Sequence, residues 1–160
     1  MRLQKGFTLV ELLVTAAILS ILAGVAIPVI KTSVQRDKEL ELRRSLRLVR
    51  DAIDAYKKLA DENRIDFEED TDGYPPTLEI LVDGVKIKDE SGEKGKDKKG
   101  EKIIKFLRRV PIDPMTGTKE WGLRSNQDKP DAMTWGGENV YDIYTKSRRT
   151  ALDGSKYADW

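Results

Sequence analysis

The chain contains no cysteine and no histidine among its 160 residues. The lack of cysteine excludes disulfide bonds, so a folded domain must be stabilised by its core alone, and thiols give no information on the redox compartment. The lack of histidine excludes Ser-His-Asp and Cys-His catalytic sets and most zinc sites. Lysine plus arginine number 29 and aspartate plus glutamate 28, so the charge balance does not indicate a nucleic acid as partner.

Polar residues are scarce between Phe7 and Ile30, and one acidic residue, Glu11, interrupts this apolar run. A helix rises about 1.5 Å per residue, so a helical run of this length crosses a bilayer core of about 30 Å. A charge near the centre of a bilayer costs about 2.5–3.5 kcal/mol, which a leucine would avoid. We therefore interpret Glu11 as a functional residue that needs a cationic partner.

The start of the apolar run carries a recognisable motif, since Lys5 and Gly6 directly precede Phe7 and Glu11 is the fifth residue of the run. This motif resembles the signal of type IV pilins and of the pseudopilins of type II secretion systems. The resemblance implies cleavage after Gly6 by a prepilin peptidase and N-methylation of Phe7. It also implies that Glu11 pairs with the new amino terminus of a neighbouring subunit and so sets the register of assembly.

Three other interpretations of the apolar run stay open. It could be an ordinary membrane anchor, or a buried core helix of a soluble protein. It could also be a conventional secretory signal peptide, because residues 24–26 are small and have the spacing that a signal peptidase needs. The positive-inside rule does not decide the orientation, because cationic residues flank both ends of the run.

The helix is expected to continue beyond the apolar run, since no glycine or proline occurs between Val29 and Asp72. Pro28 lacks an N–H and clashes with the preceding turn, so it is expected to bend or locally melt the helix; the resemblance implies such melting during assembly. Apolar residues then recur at steps of four and three, which predicts one buried face. These residues are Leu42, Leu46, Val49, Ile53, Tyr56 and Ala60.

The remainder of the chain predicts a small domain with three short strands. Helical periodicity stops near Asn63, and an acidic turn and Tyr74-Pro75-Pro76 follow. We expect an antiparallel sheet packed on the helix, with the tryptophans at 121, 135 and 160 as packing residues. The predicted elements are a short helix at 77–82, a mobile charged loop at 83–102, and strands at 103–108, 119–124 and 140–145.

Together these features predict an α+β chain in which a long N-terminal helix packs on a small antiparallel β-sheet, and the resemblance implies that this is the pilin-like fold. Further segments resemble the major, G-type pseudopilins: residues 74–82, 111–114 and 140–144. At 115–117 the chain departs from the family's Trp-Gly-Asn. The predicted divisions are a leader at 1–6, a transmembrane and assembly helix at 7–30, its amphipathic continuation at 31–63, and a globular region at 64–160.

The C-terminus holds a second candidate site. Asp153 and Asp159 lie six residues apart around Gly154. Major pseudopilins bind a structural calcium ion in their C-terminal loop, and the resemblance implies Asp153 and Asp159 as ligands here, with Ser155 as a helper. The loop is shorter than that of the family. The alternative is an Asp-Gly turn followed by a capping aspartate.

The resemblance implies a structural subunit of the periplasmic filament of a type II secretion system, which exports folded proteins across the outer membrane. Its partners would be copies of itself, minor pseudopilins, prepilin peptidase and an inner-membrane assembly platform. A single pass through the inner membrane would leave the C-terminal domain in the periplasm. The alternatives are a type IV pilin of a surface filament and a membrane-tethered enzyme; no clustered catalytic set supports an enzyme, although a bare carboxylate pair is not excluded.

Overall fold

The structure is a computed structural model, and it describes residues 6–88 and 102–160. Within these residues one long helix precedes a short helix and four very short strands. The helices are α1 (Leu9–Asp61) and α2 (Glu79–Asp83), and the strands are β1 (Val85–Lys86), β2 (Ile103–Ile104), β3 (Gly122–Arg124) and β4 (Asp142–Tyr144). Single 3-10 turns lie at Glu69–Thr71 and Tyr157–Asp159.

The chain divides into two compact units, residues 1–37 and residues 38–160. In the first unit the described residues are helical from Leu9 onward. The second unit contains the C-terminal part of α1, α2 and the four strands. The fold class is therefore α+β with a long N-terminal helix and small antiparallel sheets, as the sequence predicts.

The predicted apolar face of α1 forms the core of the second unit. Its six residues, Leu42, Leu46, Val49, Ile53, Tyr56 and Ala60, are between 0% and 2% exposed. Side chains from every later part of the chain join them, including Ile65, Leu81, Trp121, Ile143 and Tyr157. Burying a large aliphatic side chain contributes about 1.5–3 kcal/mol, so this single helix face carries much of the stability of the unit.

The end of α1 is set by an asparagine in the left-handed conformation. Asn63 has φ 54, and its N–H donates to Ala60 O at 2.9 Å while Arg64 N–H donates to Leu59 O at 2.9 Å. These two bonds form a Schellman motif, which satisfies carbonyls that the last helical turn leaves open. The predicted end of the helical pattern near Asn63 is confirmed.

The strands form two separate antiparallel pairs, so the prediction of one three-stranded sheet is wrong. β1 pairs with β2, and β3 pairs with β4 in the register Gly122↔Tyr144. The predicted strand at 103–108 stops after Ile104 because the N–H groups of Phe106 and Leu107 both donate to Leu81 O. β1 lies inside the predicted loop at 83–102, which is therefore ordered up to residue 88; residues 89–101 of that loop lie outside the described residues.

The three tryptophans occupy different environments. Trp121 is buried, and its Nε1 donates to Pro111 O at 3.0 Å. Trp160 packs partly buried against the core. Trp135 is 40% exposed, and its Nε1 donates to Asn139 O at 2.7 Å. The packing role predicted from the sequence therefore holds for Trp121 and Trp160, whereas Trp135 mainly closes a surface loop.

Candidate functional site

The residues around the predicted cleavage position lie outside the helix. Gly6, Phe7 and Thr8 precede α1 and are exposed, with Phe7 73% exposed. A peptidase needs an accessible, non-helical chain, and the Gly6–Phe7 bond meets both conditions. Residues 1–5 of the predicted leader lie outside the described residues.

Thr8 caps the start of α1. The backbone N–H of Glu11 donates to Thr8 Oγ1 at 3.3 Å, and Leu12 N–H donates to Thr8 O at 3.2 Å. This is one half of a capping box, in which an N-cap hydroxyl satisfies a free donor of the first turn. The apolar pattern did not reveal this role of Thr8; the Thr-x-x-Glu spacing is the sequence signal for it.

Glu11 sits in the first turn of α1 with its side chain exposed. In the part of the chain that the structure describes, none of the ion pairs involves Glu11. The positive end of the helix dipole favours a carboxylate at this position, but that effect contributes only about 0.3–1 kcal/mol at an exposed site. In a membrane this effect does not offset the cost of a charge, and the cationic partner predicted for Glu11 is not found among the described residues.

The N-terminal part of α1 is apolar on all sides and uncovered. Its most apolar 18-residue window has a mean hydropathy of 2.5 and is 0% buried, and it is the one candidate membrane span among the described residues. Such a surface is stable only when lipid or other protein covers it. The large exposed residues are Leu9, Val10, Leu12, Leu13, Val14, Ile18, Leu19, Ile21, Leu22, Ile27, Val29 and Ile30.

The helix assignment of α1 continues through Pro28. The sequence predicts that this proline either bends the helix or melts it locally. The single chain shows no local melting at this position. The role of Pro28 during assembly stays a prediction.

In the second unit, the turn at 111–114 is built around one buried carboxylate. Asp113 is 0% exposed. Its Oδ1 accepts Met115 N–H at 2.8 Å, and its Oδ2 accepts the hydroxyls of Thr116 at 3.0 Å and Thr145 at 2.5 Å. A buried carboxylate is tolerated when its oxygens are hydrogen-bonded in this way. The aspartate therefore shapes the turn that leads to β3, as its resemblance to the family implies.

The predicted calcium residues at the C-terminus already have protein partners. Asp153 Oδ1 accepts Ser155 N–H at 2.9 Å and Ser155 Oγ–H at 2.6 Å, while its Oδ2 lies 3.7 Å from Arg43 Nη2. Trp160 Nε1 donates to Ser155 Oγ at 2.7 Å. The Ser155 hydroxyl, then its N–H, and to a lesser degree Arg43 hold the pKa of Asp153 below its usual range.

This turn does not fit a calcium ion as its side chains are placed. Calcium takes about six to eight oxygen ligands, whereas Asp153 and Ser155 contact each other, and Asp159 is exposed on the Tyr157–Asp159 turn. No group of three or more His, Cys, Asp or Glu side chains suited to a metal occurs at residues 6–88 and 102–160. Calcium at Asp153 and Asp159 stays a prediction without support from this geometry.

Comparisons with known proteins agree with the features of the N-terminus. Residues 1–27 match the model of the prokaryotic N-terminal methylation motif. The chain is 30% identical over 116 residues to the type II secretion system core protein G of Pseudomonas aeruginosa. The aligned region covers 71% of this chain and 69% of that relative. No solved structure matches the chain.

Proposed function

Because the chain belongs to the pseudopilin family of type II secretion system core protein G, we propose that it is a filament-forming subunit with a mechanical role. The observation that carries this proposal is the uncovered apolar helix with one exposed carboxylate, Glu11, in its first turn. The chain is a single-pass, membrane-anchored pseudopilin. Its work is to assemble into a filament.

Cleavage after Gly6 supplies the missing cation. It creates an α-amino group at Phe7, whose ordinary pKa of about 7.7–8.0 keeps it largely protonated at neutral pH. Methylation of that amine retains its charge. We assign the amine as the partner of Glu11 on a neighbouring copy, because a pair of opposite charges removes much of the penalty that either charge suffers in an apolar environment.

The apolar surface of α1 supplies the remaining assembly energy. Neighbouring helices that leave the bilayer together keep these side chains away from water, and burial is worth about 25 cal/mol per Å² of apolar surface. Register along such a uniform surface is weakly specified by packing alone. The pairing of Glu11 with the amino terminus of Phe7 specifies it, since an unpaired charge penalises every other register.

Membership of the family also supports a proposal for the location and partners. We propose that the helix lies in the bacterial inner membrane, with residues 38–160 in the periplasm. Prepilin peptidase processes the leader, an inner-membrane assembly platform extracts the subunit, and minor pseudopilins join copies of this chain in the filament. The filament drives export of folded proteins across the outer membrane. We propose a structural role for the subunit. The sequence contains no histidine and no cysteine, and this composition is consistent with that role.

Substitution of Glu11 tests this role. Glu11→Gln keeps the hydrogen bond from the backbone N–H of residue 11 to Thr8 Oγ1. It also keeps the shape of the side chain but removes its charge. We expect the variant to be inserted and cut after Gly6 but to form few or no filaments, as measured by mass spectrometry of the subunit and by shearing and electron microscopy of filaments. The matched control is Glu41→Gln, which removes an exposed carboxylate of α1 that pairs with Arg44; this variant should assemble normally. Normal filaments from Glu11→Gln would contradict the proposed pairing.

A type IV pilin is the second candidate, because the methylation motif at residues 1–27 fits either kind of filament. The identity to a secretion protein extends over 116 residues and favours the secretion filament. Deletion of the gene separates the two functions. Loss of exported proteins from the medium would support the secretion filament, whereas loss of surface pili or motility would support the type IV pilin.

A further inference from the structure

The chain that follows β4 lines a cleft with exposed basic side chains, which we call the basic cleft. It has a volume of about 500 Å³. Tyr144 and Ala158 are buried in its wall, and Met133, which is 59% exposed, adds an adaptable apolar side chain. Among the described residues, none of those that line the cleft is acidic. Its exposed basic residues are Lys146, Arg148 and Lys156.

Most of this positive charge is not neutralised within the chain. Lys146 Nζ lies 3.7 Å from Glu120 Oε2, and both side chains are more than half exposed, so this pair contributes little. Arg148 and Lys156 take part in none of the ion pairs found in residues 6–88 and 102–160. The basic cleft can therefore attract carboxylates from another molecule without first breaking a strong ion pair.

The segment that follows α1 has the complementary chemistry. Residues 66–70, which we call the acidic turn, read Asp-Phe-Glu-Glu-Asp and are all exposed, with Phe67 39% exposed. Asp66 pairs with Lys88 at 2.7 Å, whereas the other three carboxylates of the turn form no ion pair with a described residue. An aromatic ring flanked by carboxylates matches a cleft with an apolar wall and basic side chains.

The acidic turn and the basic cleft lie at different levels of α1. Tyr157, which stands between two residues of the cleft, donates from its hydroxyl to Glu39 Oε1 at 2.7 Å. The chain that enters the acidic turn is held at the end of α1, where Arg64 N–H donates to Leu59 O at 2.9 Å. At about 1.5 Å per residue, Glu39 and Leu59 are roughly 30 Å apart along the helix. The turn therefore does not reach the cleft of its own copy.

A second cleft, between α1 and the chain at 109–119, is less suited to carboxylates. Its volume is about 430 Å³, and Arg44, Arg109 and Lys119 line it together with Glu41. Glu41 already pairs with Arg44 at 3.4 Å, and its charge repels a further carboxylate. This cleft is therefore a matched control of similar size that also contains exposed cations.

We propose that the acidic turn of one copy docks in the basic cleft of a second copy of the chain. This contact rests on the proposed filament, which brings many copies together. Phe67 packs on the apolar wall beside Met133, and the carboxylates around it face the basic side chains. Because each copy carries the two surfaces at different places, the contact is heterologous and can repeat from copy to copy, as a filament requires. Like charges disfavour contacts between two basic clefts or two acidic turns.

The test is zero-length cross-linking of the full chain in detergent micelles with a carbodiimide, which joins a carboxylate directly to a lysine amine. An equal mixture of unlabelled chains and chains labelled with heavy nitrogen distinguishes links between copies from links within one copy by mass spectrometry. We expect mixed-label links from the acidic turn to Lys146 and Lys156. Their yield should fall in about 1 M sodium chloride, where the Debye length is about 3 Å.

Charge reversal on either surface should remove the contact. Arg148→Glu with Lys156→Glu reverses the cleft, and Glu68→Lys with Glu69→Lys reverses the turn. Each double variant alone should lose mixed-label links at least about tenfold, a change of about 1.4 kcal/mol, whereas an equal mixture of the two should restore links between the substituted positions. The thermal midpoints should stay close to that of the wild type, because exposed substitutions of this kind seldom affect stability.

Two further variants separate specific docking from general attraction between charges. Phe67→Ser keeps every charge of the acidic turn and should still reduce the links, because it removes the ring that packs in the cleft. Arg109→Glu with Lys119→Glu makes the same charge change at the second cleft and should retain the links to Lys146 and Lys156.

Three outcomes would overturn the proposed contact: no mixed-label links from the acidic turn to the basic cleft, links that survive charge reversal of the cleft, or a mixture of the reversed variants that restores nothing although both are folded. The cross-links require neither cleavage at Gly6 nor pairing of Glu11. Failure of the contact is therefore distinguishable from failure of the proposed function, which is measured by filaments of Glu11→Gln and its control.

Discussion

Arg50 and Asp142 form a two-pronged ion pair that joins α1 to β4, although 92 residues separate them in the chain. Arg50 Nε lies 2.7 Å from Asp142 Oδ1, and Nη2 lies 3.3 Å from Oδ2. The same Nη2 donates to Trp160 O at 2.8 Å and to Ile143 O at 3.4 Å. One guanidinium therefore ties the last strand and the C-terminus to the helix on which the unit is built.

Replacement of this arginine by lysine should destabilise the second unit. Arg50→Lys keeps the charge but loses the planar fork that makes several hydrogen bonds at once. We expect a loss of about 1–3 kcal/mol in the free energy of unfolding, the usual value for charge-assisted hydrogen bonds. The measurement is denaturant unfolding of the full chain in detergent, monitored by tryptophan fluorescence.

Arg44→Lys is the control for that experiment. Arg44 pairs with Glu41 at 3.4 Å, and their side chains are 77% and 55% exposed. Exposed pairs of this kind contribute about 0–1 kcal/mol, so the control should unfold nearly as the wild type does. Equal effects of the two substitutions would show that the Arg50 pair has no special structural role.

This pair also shows what the sequence predicts and what it does not. The apolar face of α1 and its end near Asn63 are visible in the sequence, because both depend on local periodicity and turn chemistry. The processing motif is equally local, since Gly6, Phe7 and Glu11 lie within one short segment. The partners of Arg50 are not predictable, because they lie 92 to 110 residues away in the chain.

The same limit explains which contacts of the second unit the sequence does not reveal. The predicted strand at 103–108 has strand-like composition, but Leu81 O competes for its N–H groups, and no local pattern reveals that carbonyl. The ion pair of Asp153 with Arg43 is equally hidden, because the two residues lie far apart in the chain; calcium at Asp153, which the resemblance implies, stays a prediction.

Gly122→Ala should weaken the β3–β4 pair. A Cβ on Gly122 would overlap the ring of Tyr144, the residue opposite it in the register. The ring has little freedom to move, because its hydroxyl donates to Met133 O at 2.9 Å and Arg124 lies 4.3 Å over its face. We expect a loss of about 1–3 kcal/mol, as is typical of overpacking, measured by chemical unfolding.

A double-mutant cycle with Tyr144→Leu isolates this contact. In the Tyr144→Leu background the ring is absent, so Gly122→Ala should then cost much less than in the wild type. If the alanine is equally destabilising in both backgrounds, its effect comes from the backbone of β3 and not from the ring.

The stability contributed by Asp153 should decrease as the pH falls. Hydrogen bonds from Ser155 lower the pKa of Asp153 in the folded protein. The stabilisation is therefore present above the unfolded pKa of about 3.9 and is lost as the pH falls through the lower, folded pKa. The thermal midpoint of Asp153→Asn should lie below that of the wild type at pH 6, and the gap should narrow as the pH falls below about 4.

Ser155→Ala provides the control for this pH dependence. It removes the hydroxyl that is the largest cause of the lowered pKa of Asp153, so its midpoint should vary less steeply with pH than that of the wild type. A gap between wild type and Asp153→Asn that is the same at pH 6 and pH 3 would contradict the assigned role of the carboxylate.

The central claim is that the chain is processed at Gly6 and then assembles through the new amino terminus. The most direct measurement is the intact mass and N-terminal sequence of the protein extracted from its own membranes. The account predicts a chain that begins at Phe7 and is one methyl group heavier than the unmodified polypeptide. A start at Met1 would mean an uncut anchor and a start at Ile27 a soluble secreted protein, and either result would contradict assembly through Phe7 and Glu11.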